Sequence, residues 1–439
     1  MAQTPKKGAR SDDPGLAPRA LALDMIEGVQ DEQMTMAEML VHDHVLSHPP
    51  AVRARAQRLA LATLRQMARA DAALKPFMQR RPHAEIRALL RLAVTEILGE
   101  GAAPHGVVNT AVALAKKRRP SASGMVNAVL RKITEDEGRA AWSAAQPQRL
   151  PNWLRGPLIA GYGRRKIEAM EAAHAAGAPL DLTPKDGDAA ALAARVGGVA
   201  LPTGSVRLDS RAQVTALPGF DSGDWWVQDA AAAIPARALA GSLASATGAR
   251  VLDMCAAPGG KTMQLAAAGA EVTALDLSEH RMTRVAENLA RTGLSARTVT
   301  ADALEWTPDA PFDAILLDAP CSATGTIRRH PDLPHARDGA EFAGLFALQE
   351  AMLDRAVDWL KPGGLLVYCT CSLLPDEGEV QIEEALTRHP GLRLDTGVLR
   401  VPGVEDGWLC DEGLRLTPDL WKDRGGMDGF FIAALRKDA

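Results

Sequence analysis

From about residue 249 the chain alternates short apolar segments with longer segments of helical periodicity, and this alternation limits the fold more than any other feature. Helical segments of about 10–15 residues separate several of the apolar ones. Strands joined in this way form parallel sheets covered by helices on both faces, so the sequence predicts an α/β domain with a doubly wound, Rossmann-like sheet. A last apolar segment, 429–435, is expected to be an antiparallel strand at the sheet edge. The segments expected to be buried strands are 251–254, 271–276, 297–300, 312–318 and 364–370.

The first third of the chain follows a different pattern. Residues 16–140 carry apolar side chains at helical spacing, with prolines at the breaks, so we predict a compact all-α bundle there. Residues 1–15 are expected to be a disordered polar tail. Residues 141–235 are rich in Pro and Gly and are predicted to form a small α/β connector that ends near an Ala-rich helix over about 230–245. The doubly wound domain then occupies 236–439.

Composition and cysteine usage exclude several classes of protein. With 47% hydrophobic and 24% charged residues, the chain has ample material for a folded core. It contains no apolar run of about 18 residues and its first ten residues lack the apolar centre of a secretory signal, so we expect no membrane attachment. Its five cysteines have neither the density of a disulfide framework nor the spacing of zinc ligands, and no metal site is expected. These features favour a cytoplasmic protein, which we expect to be a monomer.

Charge is divided unevenly along the chain. Residues 1–150 hold 22 Lys and Arg against 15 Asp and Glu, a balance of +7, whereas the remainder has a balance of −11. A basic module of this kind is typical of nucleic-acid binding, although an excess of seven charges also lies within ordinary variation. The quartet 116–119 (Lys-Lys-Arg-Arg) precedes Pro120 at an expected helix C-terminus, where cations either complement the helix dipole or contact phosphates.

Groups that bind ligands in a doubly wound sheet lie where its strands end. The first strand is followed by Gly259 and Gly260, which let the backbone approach a ligand at a helix N-terminus. This turn has neither the G-x-G-x-x-G spacing of dinucleotide sites nor the spacing of a phosphate-binding P-loop. A tight turn that binds nothing is the alternative.

Three aspartates close the next three strands. Asp276 lies about 20 residues after the turn, where an acid commonly holds ribose hydroxyls. Asp302 is placed to meet an adenine amino group, and Asp318 follows the fourth strand. A single aspartate at a strand end is often only a helix cap. Three in succession favour a nucleoside pocket, and the lack of a phosphate cradle favours an adenosyl ligand without phosphate, S-adenosylmethionine.

Two cysteines are expected on loops that face the same pocket. Cys321 comes just after the fourth strand, and Cys371 lies at the end of the fifth. Cys255 and Cys369 are explained more simply as small core residues. We therefore take Cys321 and Cys371 as the candidate reactive groups.

These motifs resemble those of a known enzyme family. The segments 253–262, 318–322 (Asp-Ala-Pro-Cys-Ser) and 370–372 (Thr-Cys-Ser) are similar to the motifs of the Sun/NOL1/NOP2 family of RNA cytosine-5 methyltransferases. In the helical part, 107–112 and 126–131 resemble a NusB-like RNA-binding domain. The likeness extends over nearly the whole chain from about residue 16, and the paired Pro-Cys and Thr-Cys motifs are highly specific.

The resemblance implies an activity and a set of site residues. It implies transfer of a methyl group from S-adenosylmethionine to carbon 5 of a cytosine in RNA, with small-subunit (16S) ribosomal RNA as the substrate. By position, the family's nucleophile falls on Cys371 and its second cysteine on Cys321. Its cofactor-binding positions fall on Cys255, Ala256, Ala257, Pro258, Gly259, Gly260, Lys261, Asp276, Asp302 and Asp318.

Two other interpretations remain open from the residues alone. A nucleotide-dependent dehydrogenase would share the sheet, but the G-x-G-x-x-G fingerprint is missing. A non-enzymatic RNA-binding or antitermination protein would use only the helical bundle and would leave Cys321 and Cys371 without a purpose. Binding of S-adenosylmethionine separates the three interpretations.

Overall fold

The computed structural model describes residues 15–209, 213–243 and 245–439. Within these residues the chain forms two compact units. The first unit runs to Asn152 and also contains His330–Asp338, whereas the second contains Trp153–Arg329 and Gly339–Ala439. Apart from its last residue, the tail predicted over 1–15 lies outside the described residues.

The first unit is all helical, as predicted. Proline suits the first turn of a helix because it has a fixed φ and lacks an amide hydrogen, and Pro50 and Pro104 each open a helix here. A π-helical turn, Thr95–Gly99, extends α6. The helices of the first segment are α1 (Leu16–Asp31), α2 (Met36–Leu40), α3 (Asp43–Leu46), α4 (Pro50–Arg65), α5 (Met67–Leu74), α6 (Ala84–Val94), α7 (Pro104–Arg118), α8 (Ser123–Ile133) and α9 (Asp136–Ala144).

A segment from much later in the chain completes this helical unit. Within His330–Asp338, a four-residue helix spans Leu333–Ala336, and Ala336 lies in the core of the bundle. The carboxylate of Asp332 accepts the amide hydrogen of Met36 at the start of α2, at 2.8 Å. The bundle is therefore not built from its own stretch of sequence alone.

The second unit begins with helices and a small antiparallel sheet, whose strands lie in the order β2 (Val199–Ala200), β3 (Val206–Leu208), β1 (Leu180–Pro184) and β4 (Trp225–Val227). Leu182, Val206 and Trp225 pack against Leu192 to form its core. The predicted α/β connector is confirmed. Its helices are α10 (Asn152–Tyr162), α11 (Arg164–Ala176) and α12 (Ala189–Val196).

The strands of the main sheet of the second unit lie in the order β10 (Leu392–Leu394), β12 (Phe430–Lys437), β9 (Leu360–Thr370), β8 (Phe312–Asp318), β5 (Arg250–Met254), β6 (Glu271–Asp276) and β7 (Arg297–Thr300), and β11 (Leu414–Leu416) pairs with β12. Neighbours from β9 to β7 are parallel, so the predicted doubly wound sheet is confirmed. The helices are α13 (Ile234–Ser242), α14 (Gly260–Ala267), α15 (Glu279–Thr292), α16 (Phe342–Trp359) and α17 (Glu379–Arg388).

Two predicted details of this sheet are wrong. The strand β12 is antiparallel, as expected, but it is not at the edge, because β10 pairs along its other side through Leu394 and Leu435. A strand as short as β10 leaves too little apolar pattern to be recognised. The strand β9 begins at Leu360 rather than at residue 364, since Leu360 pairs with Phe312 across a register shift.

Alternate residues of the central strands point to opposite faces of the sheet. Val251 and Leu316 belong to the core that contains α13, whereas Leu252 and Leu317 belong to the core that contains α16. All four side chains are fully buried, which explains the continuous apolar runs of the sequence. A sheet packed on both faces holds the loops at its strand ends in fixed positions.

Candidate active site

The order of the parallel strands reverses between β5 and β8. From β5 the chain moves outward to β6 and β7, and it then returns to β8 and β9 on the other side. A crevice forms outside the carboxyl ends of the strands at such a reversal, and ligands of open α/β sheets bind there. The motifs 253–262 and 318–322 both lie at this point.

The loop after β5 has a constrained backbone. Cys255 and Gly259 adopt left-handed conformations, with φ of 60° and 99°. A Cβ atom on residue 259 would lie 3.3 Å from Cγ1 of Val285, which favours glycine there for its lack of a side chain as well as for its φ. The loop leads directly into α14, so its last amides stand at a helix N-terminus, where the helix dipole favours a negative group.

Asp276 and Asp302 lie at the same edge of the sheet, as expected. Asp276 is 3% exposed, and its two carboxylate oxygens accept the amide hydrogens of Ala257 at 3.1 Å and of Ser278 at 3.0 Å. Asp302 is partly buried and accepts the amide hydrogen of Leu304 at 2.8 Å. Each aspartate therefore orders its own loop, but neither caps a helix, since Ser278 is the N-cap of α15 and residues 303–311 after Asp302 form no helix. Asp276 also ties the loop after β5 to the end of β6.

Asp253 is a buried carboxyl group beside this loop that sequence reasoning did not single out. Thr262 donates a hydrogen bond to its Oδ2 atom at 2.5 Å, whereas Oδ1 is buried and has no hydrogen-bond partner among the described residues. Burial raises the pKa of Asp253 to about 7. A buried oxygen without a partner next to a Gly-Gly turn can accept a hydrogen bond from a ligand.

Lys261 connects the loop after β5 to the end of β8. Its Nζ atom donates to Oδ2 of Asp318 at 2.7 Å, and its side chain is 9% exposed. Burial alone would lower the pKa of Lys261, but the charge of Asp318 outweighs it and raises that pKa above its usual range. The thiol of Cys369 donates to the other oxygen of Asp318 at 3.4 Å. Lys261 and Asp318 are both predicted site residues, but their pairing does not follow from the sequence.

The two candidate cysteines come together at the ends of neighbouring strands. The parallel strands β8 and β9 place Asp318 opposite Cys369, and the Sγ atoms of Cys321 and Cys371 lie 3.5 Å apart. The amide of Gly325 also donates to the carbonyl of Cys371 at 2.9 Å, which holds the two loops together. Hydrogen bonding to Cys371 and burial raise the pKa of Cys321 well above its usual range, so Cys321 is a neutral thiol at pH 7.

Glu377 is a fully buried residue that fixes the loop after β8. Its carboxylate accepts hydrogen bonds from the amide, at 2.9 Å, and from the hydroxyl of Ser322. Its carbonyl accepts the hydroxyl hydrogens of Tyr368 and Thr370 on β9, each at 3.0 Å. Glu377 thus ties the residue after Cys321 to the strand that precedes Cys371. Nothing in the sequence of 375–377 distinguishes this acid from an exposed one, so its role could not be predicted.

A buried cluster of charges follows the same loop. Arg328 is fully buried and contacts Asp229 at 2.5 Å and Asp428 at 3.4 Å. Arg329 donates to Asp428 at 2.7 Å. These pairs anchor the chain beyond Cys321 to residues about a hundred positions away in both directions, and the sequence analysis did not predict them.

The donors and acceptors of the crevice fit a cationic adenosyl ligand. The carboxylates of Asp253, Asp276 and Asp302 can accept hydrogen bonds from an ammonium group and from ribose hydroxyls, whereas the cation Lys261 is neutralised by Asp318.

In the described part of the chain, no group of three or more His, Cys, Asp and Glu side chains is placed to hold a metal ion. No helix of those residues is long and apolar enough to cross a membrane.

The sheet and the crevice define a class of protein, the Rossmann-fold methyltransferases that use S-adenosylmethionine, here joined to an all-helical unit. A family model described as 16S rRNA methyltransferase RsmB/F matches residues 240–436, and a NusB family model matches residues 16–135. The chain therefore combines the two modules that the motifs indicated.

Similar proteins cover nearly the whole chain. The chain is 34% identical to Ribosomal RNA small subunit methyltransferase B of Citrobacter koseri, over 95% of this chain and 98% of that protein. It is 37% identical to the protein of the same name from Erwinia tasmaniensis, over 75% of this chain and 76% of that one. A solved structure, a methyltransferase homologue from Pyrococcus horikoshii, is 27% identical with a TM-score of 0.52, and covers 65% of this chain and 95% of its own. The chain belongs to the family of ribosomal RNA small subunit methyltransferase B, and it is an S-adenosylmethionine-dependent RNA methyltransferase.

Proposed function

We propose that this chain methylates carbon 5 of a cytosine in small-subunit (16S) ribosomal RNA through a transient covalent bond between Cys371 and carbon 6 of the base. The observation that carries this proposal is the contact between two thiols at the ends of neighbouring strands, with 3.5 Å between their Sγ atoms. One thiol suffices for attack on the ring, so a second thiol in contact with it favours a reaction with two thiol-dependent steps.

The chemistry explains why a nucleophile is needed. Carbon 5 of cytosine is too weak a nucleophile to take a methyl group unaided. Addition of a thiolate to carbon 6 breaks the aromaticity of the ring and places electron density on carbon 5, which divides one difficult step into easier ones. When bound, S-adenosylmethionine supplies an electrophilic methyl group. The target base must also leave its stack, so an unpaired or flipped cytosine is expected.

The two cysteines have different roles in this proposal. Cys371 adds to carbon 6, and Cys321 helps to remove the proton from carbon 5, after which Cys371 leaves by elimination. Cys321 is protonated while it shares a hydrogen bond with Cys371. Bond formation at Cys371 removes that hydrogen bond, which is the largest cause of the raised pKa of Cys321. Cys321 then releases its own proton to solvent and, as a thiolate, accepts the carbon 5 proton, while Cys371 leaves carbon 6 as a thiolate.

The cofactor and base sites follow from the same crevice. We assign the loop 255–261 (Cys255, Ala256, Ala257, Pro258, Gly259, Gly260 and Lys261), together with Asp276 and Asp302, to cofactor binding. Asp318 stands at the reversal point between the loop and the cysteines, where it contacts the cofactor and binds the polar edge of the cytosine. Lys261 donates a hydrogen bond to Asp318 at 2.7 Å and so holds its carboxylate in place for that task.

The division of labour along the chain completes the proposal. Residues 16–140 bind RNA through the NusB-like bundle, residues 141–235 connect this bundle to the rest of the chain, and residues 236–439 perform the chemistry, in a cytoplasmic monomer.

The experiment is bisulfite sequencing of 16S ribosomal RNA from a deletion strain that carries the wild-type gene or the Cys371→Ala variant. One cytosine protected by the wild type and unprotected in the variant is the expected result. Methyl groups found on another base, or no difference between the strains, would overturn the proposal.

A further inference from the structure

A cavity of about 640 Å³ lies in the second unit, apart from the crevice described above. It is partly open to solvent and is lined by the turns 183–187 and 202–204 of the connector, by α13 and the end of α14, and by residues 397–402. It includes none of the residues assigned above to the cofactor, the cytosine or the covalent chemistry. Its volume falls within the range of about 300–1,000 Å³ that is typical of small-molecule sites.

Arg237 on α13 contributes an unpaired cation to this cavity. Its Nη2 atom donates to the carbonyl of Gly204 at 2.9 Å, whereas Nη1 is buried and has no hydrogen-bond partner among the described residues. Burial lowers the pKa of Arg237 to about 10, with no carboxylate opposing the shift, and this still leaves the guanidinium charged at pH 7. A buried charge without an acid is costly to a folded protein, which indicates that an anion binds there.

A second donor lies beside it. Thr203 lines the same cavity and is 4% exposed, and its hydroxyl is buried without a hydrogen-bond partner in the described part of the chain. Gly204, between the two, has a φ of 81°, and a Cβ atom there would lie 3.0 Å from Nη1 of Arg237. The turn therefore keeps open the space in front of the guanidinium.

The charge of the lining also favours an anion. Lys185 and Arg400 also line the cavity, but Lys185 donates to the carbonyl of Thr292 and Arg400 pairs with Asp406, so Arg237 is the cation of the lining that has no acid partner among the described residues. The acid of the lining, Asp186, is exposed and accepts the amide hydrogen of Asp188 at 3.0 Å. Phosphate combines negative charge with several acceptor oxygens and pairs well with a guanidinium. A cavity of this size exceeds a phosphate ion alone, so the ligand carries an organic part.

We propose that this cavity binds the phosphate of a nucleotide, with Nη1 of Arg237 and the hydroxyl of Thr203 as its donors. The nucleotide is either free or part of an RNA chain, and the chemistry of recognition is the same for both. The site is independent of the methyl-transfer reaction proposed above, so the two proposals can fail separately.

The first arm of the test uses uridine 5′-monophosphate as the probe. The full-length protein, saturated with S-adenosylhomocysteine to fill the cofactor site, is titrated calorimetrically with the nucleotide and with uridine, which lacks the phosphate. If the ligand is a free nucleotide, the nucleotide binds and uridine does not. Arg237→Met then weakens binding about tenfold or more, and Thr203→Val weakens it about threefold or more. The matched control Arg297→Met, which removes an exposed cation on β7, leaves the affinity unchanged.

The second arm tests the RNA source with a single-stranded oligoribonucleotide that contains no cytosine. The measured quantity is the slope of the logarithm of the binding constant against the logarithm of the salt concentration. If the phosphate belongs to RNA, Arg237→Met reduces the size of this slope by about 0.7, the value for one phosphate neutralised on a single strand, and Arg297→Met does not. If Arg237→Met fails to fold, Thr203→Val decides either arm. Weaker binding of the nucleotide, or a smaller salt-dependence slope for the oligoribonucleotide, supports the site and identifies the source of the phosphate. Unchanged binding of both probes by both variants overturns the proposal.

Discussion

The ammonium group of Lys261 and the carboxylate of Asp318 lie 2.7 Å apart, and their contact joins the loop after β5 to the end of β8. Lys261 lies in the first turn of α14, which follows β5, and Asp318 ends β8. These two strands are neighbours in the sheet, although the two residues are separated by 57 positions in the sequence. The contact therefore spans the point where the strand order reverses, between the loop after β5 and the loop after β8.

Lys261→Met is expected to destabilise the fold. It leaves Asp318 without its counter-ion, and because that carboxylate is partly exposed the loss should be about 1–3 kcal/mol in the free energy of unfolding. Urea titration measures it. The double variant with Asp318→Asn should lose less than the sum of the single losses, since the two groups are coupled. Additive losses would show that the pair contributes nothing.

Asp276→Ala is expected to weaken cofactor binding by about 1–3 kcal/mol, which is roughly 5- to 150-fold in the dissociation constant. The substitution removes the acceptor of the Ala257 amide and so releases the loop after β5. Calorimetry with S-adenosylhomocysteine is the measurement. Asp309→Ala, which removes an exposed carboxylate, is the control and should bind normally. An unchanged affinity for Asp276→Ala would mean that the residue contributes nothing to cofactor binding.

His335 should make the stability of the helical unit depend on pH. Burial, with Arg91 nearby, lowers the pKa of His335 to about 4, below the value of about 6.5 expected in the unfolded chain. Between these two values the unfolded state binds the proton and the folded state does not, so stability falls as the pH drops from about 6.5 towards 4. The loss from this group between pH 7 and pH 5 should be about 2 kcal/mol.

The variant His335→Gln isolates this contribution from that of the carboxylates. Its free energy of unfolding, measured in urea at pH 7 and at pH 5, should change about 2 kcal/mol less than that of the wild type. The same pH dependence in both proteins would show that His335 titrates normally in the folded state.

The basic quartet at the end of α7 separates into two kinds of residue. Lys116 and Lys117 are exposed, whereas the guanidinium of Arg118 is engaged by the carboxylates of Asp24 and Glu27. We expect Lys116→Gln with Lys117→Gln to lower the salt-dependence slope of RNA binding by about 0.7–0.9 for each phosphate that the two lysines neutralise. Arg118→Gln should instead reduce stability and leave the slope unchanged. Equal slopes for the double variant and the wild type would remove the quartet from the RNA-binding surface.

The parts of the fold that follow from local pattern were predicted well. Strands β6 and β8 occupy 271–276 and 312–318 as predicted, because buried parallel strands leave continuous apolar runs. The proximity of Cys321 and Cys371 also follows from the sequence, since both come after strands whose carboxyl ends meet at one edge.

The parts that depend on distant pairing could not be predicted. The contact between Asp332 and Met36 joins residues 296 positions apart, and nothing in the sequence around 330–338 shows that this segment belongs to the helical unit. The same is true of Arg328, whose partners Asp229 and Asp428 lie about a hundred residues away in opposite directions. Periodicity and strand-end motifs report on local structure, and such ion pairs depend on the complete fold.

The most direct test of the covalent mechanism is the behaviour of the two cysteine variants with RNA and S-adenosylmethionine on a denaturing gel. Cys371→Ala should neither methylate RNA nor form an adduct, because the nucleophile is missing. Cys321→Ala should methylate at most once and remain attached to its RNA, giving a band that survives denaturation, because the release step is missing. A trapped band from Cys371→Ala together with normal turnover by Cys321→Ala would reverse the two roles, and normal turnover by both variants would contradict the covalent mechanism itself.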